Sequence, residues 1–212
     1  MKRLQTLLLL ALACMFSAVQ AGLDTDLLQL QKQWAQANYA TPEEEQEQAF
    51  EELVTRARAL TEQYPDNAEP MVWLAIVLST DAGVTGGLGA LAKVKEARRL
   101  LEGALQIDAT VLDGSAYTSL GSLYYQVPGW PIGFGDDEKA ESNLKKALAI
   151  NPDGIDPNYF YGDFMLEQDN YAEAMRYLQK AGMAPPRPDR PLADLGRKRE
   201  ITTKLAQARS KL

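Results

Sequence analysis

The stretch Ile155–Pro186, "IDPNYFYGDFMLEQDNYAEAMRYLQKAGMAPP", decides the fold. Apolar and aromatic residues recur at helical spacing on either side of the polar break "EQDN", so the segment reads as two helices joined by a short turn. With Ile155 as the first position, Gly162 is eighth, Tyr171 seventeenth, Ala174 twentieth, Leu178 twenty-fourth and Ala181 twenty-seventh. Small residues at Gly162, Ala174 and Ala181 let two antiparallel helices approach closely, and the large residues between them fill the remaining space. Pro186 ends the unit, because proline cannot continue a helix.

The same spacing recurs upstream in stretched form. "SAYTSLGSLYY" supplies Gly121 as the small residue of a first helix, and "KAESNLKKALAINP" supplies Ala140, Leu144 and Ala147 for a second. A further unit begins at Ala68, with Ala75 in "AEPMVWLAIVLS" and Ala97, Leu101 and Ala104 in "EARRLLEGALQIDA". Relative to the ungapped unit these two carry seven and ten extra residues, within 127–136 and near 81–92. A weaker pair precedes them, from "DLLQLQKQWAQANY" to Pro65, and "PLADLGRKREITTKLAQARSKL" follows as an amphipathic segment. The pattern resembles the tetratricopeptide repeat (TPR). That resemblance implies an all-α, right-handed α-solenoid of three to four helix pairs over 22–189, closed by a polar capping helix over 190–212.

Residues 1–21, "MKRLQTLLLLALACMFSAVQA", read as a secretory signal peptide: a basic start at Lys2 and Arg3, an apolar run, and small residues before a cut after Ala21. Export to a periplasm is the expectation, with lipid anchoring through Cys14 as the alternative. No later run is long enough to span a bilayer. Cleavage after Ala21 would remove the single cysteine, leaving packing alone to hold the fold. The chain has 22 Lys and Arg against 29 Asp and Glu, a net charge of −7, which does not suit nucleic-acid partners. Histidine is absent, which removes Ser-His-Asp and Cys-His catalysis and the commonest zinc ligand. No cofactor, metal or catalytic role is expected. A carboxylate enzyme built on Asp136, Asp163 or Glu167 is the weakest alternative, since glycosidases need two carboxyls at a set separation.

Both glycine-rich segments fall between the first and second helix of a unit. Gly87–Ala92 fits G-x-G-x-x-A, yet a helix rather than a strand precedes it, so turn-forming glycines are the better reading. "VPGWPIGFGD", 127–136, ends in acids suited to capping the next helix, and its rings Trp130 and Phe134 either seal the core or form a binding lip. The TPR resemblance implies a peptide-binding groove lined by first helices, here by Val72, Ile76, Thr118, Ser122, Tyr125, Tyr159, Asp163 and Glu167. The groove positions hold no Lys or Arg, so the basic clamp of chaperone-tail binders is missing and an uncharged or basic partner is expected. An export signal and stretched repeats also resemble the T components of tripartite ATP-independent periplasmic (TRAP) transporters. The two implied functions are a non-catalytic exported scaffold for a protein or peptide, and a transport accessory binding a small molecule or a periplasmic substrate-binding protein.

Overall fold

A computed structural model describes the backbone of residues 2–212 and the side chains of residues 21–212 other than Leu88. The signal-peptide reading and Cys14 thus lie outside the described side chains, apart from Ala21. The described residues form nine helices and no strand: α1 (Lys2–Tyr39), α2 (Glu43–Gln63), α3 (Ala68–Thr85), α4 (Gly87–Ile107), α5 (Val111–Gln126), α6 (Asp137–Ile150), α7 (Ile155–Glu167), α8 (Tyr171–Gly182) and α9 (Pro191–Arg209). None of them, among the residues described, is long and apolar enough to cross a membrane.

The chain is an all-α solenoid. α1/α2, α3/α4, α5/α6 and α7/α8 pack as hairpins, and each odd-numbered helix also touches the next odd one. The odd helices therefore form an inner layer and the even ones an outer layer. Small residues set the hairpin spacing. Ala75, Ala97, Ala104, Ala140, Ala147, Ala174 and Ala181 are fully buried, and Gly121 and Gly162 are buried with them. A Cβ built on Gly121 would lie 2.5 Å from Leu144 Cγ, and one on Gly162 would lie 2.8 Å from Leu178 Cγ. The two glycines thus receive equivalent leucines from the partner helix of their own hairpins.

The two expansions are built differently. The extra residues near 81–92 do not form a protruding hairpin; they lengthen α3 and α4, which meet at Gly86. Gly86 adopts φ 61°, a conformation open to glycine at little steric cost. The buried Asp81 receives Lys93 Nζ at 2.8 Å, tying the two extensions together. Segment 127–136 is an irregular loop. It folds back through Gly135 N–H to the Pro128 carbonyl (3.0 Å) and Asp136 N–H to the Tyr124 carbonyl (2.8 Å). Asp136 then caps α6, accepting from the Lys139 backbone N–H at 3.0 Å.

The solenoid also closes on itself, a feature absent from the sequence expectation. α9 packs on α7 and α8 and also reaches α1. The contact depends on Gly196, where a Cβ would sit 2.4 Å from the Tyr39 ring. The first and last inner helices are thereby joined, and the groove expected along an open stack becomes the inside of a ring.

Candidate ligand-binding cavity

The ring encloses a partly enclosed cavity of about 740 Å³, lined by α1, α3, α5, α7 and α9, by the start of α4 and by part of the 127–136 loop. That volume lies within the usual range for small-molecule sites. One wall is aromatic. Trp34 meets Trp73 edge-on at 6.0 Å and Tyr39 at 5.6 Å, and its Nε1–H donates to Thr80 Oγ1 at 3.0 Å. Both indoles are buried on the protein side, and Ile76, Leu91 and Val94 extend the apolar surface. α5 supplies a hydroxyl wall of Ser115, Thr118, Ser119 and Ser122. A helix face of small hydroxyl residues leaves volume open while offering hydrogen bonds.

The third wall is charged. Asp156 receives Arg187 at 2.6 Å and Arg197 at 2.9 Å. Arg187 also binds Asp194 at 2.6 Å, and Arg197 binds Glu200 at 2.5 Å. Burial opposes ionisation of Asp156, but the Arg197 and Arg187 guanidinium groups outweigh it and hold the carboxyl well below the usual carboxylate range. The Arg197 guanidinium lies over Tyr159 at 4.3 Å and Phe160 at 4.8 Å. Burial pushes the Tyr159 and Tyr39 phenols above their ordinary value, so both stay neutral.

Four of the eight groove candidates meet here: Ile76, Thr118, Ser122 and Tyr159 line the cavity. The other four do not. Val72 has 0% exposure, because α3 is packed by α1, α2, α4 and α5 and presents little free surface. Tyr125 and Asp163 bind each other, the phenol donating to Asp163 Oδ2 at 2.7 Å, and Lys204 of α9 closes the site at 2.6 Å from Oδ1. Glu167, the last residue of α7, is exposed and lies away from the cavity.

The groove positions themselves hold no Lys or Arg, but α9 and the turn before it bring cations to Asp156 and Asp163. Arg187, Arg190 and Arg197 lie outside the repeat positions and were missed. A signal was present, since Arg190 and Arg197 are seven residues apart and share one face of a helix. The loop rings diverge. Phe134 packs edge-on to Tyr124 at 5.7 Å beneath Arg98 at 4.5 Å, whereas Trp130 is 90% exposed. No group of three or more His, Cys, Asp or Glu among the described residues could hold a metal ion. The G-x-G-x-x-A stretch opens α4 directly after α3, without the strand a dinucleotide site requires.

A tetratricopeptide-repeat family profile matches residues 132–195. The sequence has no significant match among curated proteins. Among solved structures, two titled "Crystal structure of MamA protein" and "Crystal structure of MamA" are similar. The first is 19% identical, with a TM-score of 0.44, covering 76% of this chain and 82% of that one. The second is 18% identical, with a TM-score of 0.45, covering 77% and 88%. The profile's span takes in α6 to α8, so the stretch that set the fold from sequence is also the stretch with a likeness to the tetratricopeptide-repeat family.

Proposed function

We propose that the protein is a non-catalytic binding protein that holds a small molecule inside its ring. The supporting observation is the preformed cavity, with aromatic, hydroxyl and charged walls drawn from distant parts of the chain. Extended peptides need an open, continuous surface, whereas small ligands are held by concave, largely apolar sites with a few placed polar groups. The sequence's export signature and its resemblance to TRAP T components fit a carrier that passes a solute to a substrate-binding protein in the periplasm. A scaffold reading has its own support in the exposed Trp130 (90%) and Ile132 (68%), which offer a protein partner a contact beside the cavity.

The test is mass spectrometry of small molecules released from protein purified out of its native host. Wild type should release a stoichiometric compound, and a folded Ser122→Phe variant, which fills the cavity from α5, should not. Equal release from the two would reject the cavity as the site.

A further inference from the structure

Within this cavity reading, on which the inference rests, we infer that Arg190 is the ligand's anchor and that the ligand is an amphipathic carboxylate, its apolar body against Trp73 and Trp34. The charged wall contains three arginines, and two of them each bridge two carboxylates. Arg187 holds Asp156 and Asp194; Arg197 holds Asp156 and Glu200. Among the described residues, the Arg190 side chain makes no hydrogen bond or ion pair, and its Nε is buried without an acceptor. Of the described residues that line the cavity, Arg190 alone carries a buried side-chain atom without a hydrogen-bond partner.

Its placement is defined. The Arg190 backbone N–H donates to the Arg187 carbonyl at 2.9 Å and its carbonyl accepts from the Asp194 N–H at 3.1 Å, so the turn into α9 is fixed. The guanidinium lies 5.0 Å from the Trp73 ring centroid. Burial, with the neighbouring Arg187 charge, pulls Arg190 down to about 10, so the site as it stands disfavours the charge it carries. An arriving carboxylate supplies the missing acceptors. The planar fork of the guanidinium matches two carboxylate oxygens, and the stack on Trp73 holds the fork in one plane. An apolar body beside the anion then meets Trp34 and Trp73 and the apolar surface that Ile76 and Leu91 continue.

The acids nearest Arg190 do not forbid this occupant. Asp156 and Asp194 already accept from Arg187, and Arg197 shields Asp156 on its far side. They do limit the charge that fits: a single carboxylate matches the Arg190 guanidinium, the one of this wall's three that has no ion pair among the described residues, and a dicarboxylate would place its second charge against Asp156 or Glu200.

Trp34 and Trp73 are the reporters. The chain has three tryptophans, and a Trp130→Phe background removes the exposed one. In that background, tryptophan emission is titrated with 4-phenylbutanoate and with its neutral amide. The acid should bind at least about tenfold more tightly than the amide, a difference of about 1.4 kcal/mol. Arg190→Gln should bring the acid to the amide's affinity while leaving the amide within about twofold, and Arg190→Lys should restore part of the gap. The melting temperature of Arg190→Gln should fall by no more than about 4 °C, since the Trp73 ring contact is lost but no hydrogen bond or ion pair is; a larger fall would indicate a structural residue and overturn the assignment. Equal binding of acid and amide, unchanged by Arg190→Gln, would overturn the carboxylate anchor and leave the cavity reading intact. Saturable binding by neither compound, up to millimolar concentration, would overturn both. A short peptide ending in Phe, with a free or an amidated terminus, forms the last arm. If only the free-ended peptide binds, the Arg190 anchor stands and the small-molecule occupant is replaced by a chain terminus.

Discussion

Replacing Gly121 by Ala adds one methyl group at the α5–α6 interface, and its consequence follows from distance. The new Cβ would lie 2.5 Å from Leu144 Cγ, 2.8 Å from Leu144 Cδ2 and 3.2 Å from the Ala140 carbonyl oxygen. Carbon atoms in good contact are about 3.5–4.0 Å apart, so the overlap is about 1 Å. Leu144 is fully buried and its Cγ is a branch point rather than a flexible end, so relief requires the two helices to separate. Overpacking of this kind costs about 3 kcal/mol at the upper end, and removing a helical glycine returns about 1 kcal/mol, leaving a loss of about 2 kcal/mol. For a chain of this length that is a fall of about 4–8 °C in melting temperature. Gly89→Ala makes the same chemical change in α4, where a Cβ meets nothing within 4 Å. It should stabilise by about 0.5–1 kcal/mol. Thermal and urea unfolding of the two variants, followed by circular dichroism, should give shifts of opposite sign. Shifts of the same sign would refute the hairpin packing argument.

Three further outcomes follow from the ion pairs and the loop. Lys204→Met strips the cation from buried Asp163 and should destabilise by about 3 kcal/mol, well beyond the roughly 1 kcal/mol expected for Tyr125→Phe; urea midpoints would rank them. Asp156, ionised below its ordinary range in the fold, contributes stability that is present above about pH 4 and lost as pH falls through its lowered folded value, so Asp156→Asn should flatten the acid side of a stability–pH profile. Trp130→Ala should change stability by less than about 0.5 kcal/mol, whereas Phe134→Ala should lose about 1–2 kcal/mol with its ring contacts to Tyr124 and Arg98, a contrast that differential scanning calorimetry resolves.

What could be read from the sequence divides along the range of the interactions. Hairpin packing is local: Gly121 and Leu144, or Gly162 and Leu178, lie within one helix pair, and the spacing of small residues records it directly. Tyr159 and Ser122 reached the cavity because each sits on the inner face of its own unit. The charge of the site was misread because it belongs to no single unit. Asp156 and Asp163 look like a free acidic face along α7, and their partners Arg187, Arg197 and Lys204 enter from beyond the last repeat. Val72 was misplaced for a related reason: a position open to solvent in an extended stack is covered once α1 and α5 flank α3 on both sides. The lengthened α3 and α4 escaped notice because a glycine-rich run reads as loop, although only Gly86 and Gly87 of that run take positive φ.

The Tyr39–Gly196 contact changes the kind of object this chain is. An open repeat array behaves as a line, in which each unit feels only its neighbours and either end can fray without consequence for the other. Joining the ends turns the line into a loop, and a loop has no expendable end. The cavity has no fractional version either: every partial stack, whether one lacking α1 or one lacking α9, has a missing wall. Closure must wait for helices from opposite ends of the chain to meet, a late and entropically costly event. Binding competence should therefore arrive all at once, as the last property the folding chain acquires and the first that a damaged one forfeits.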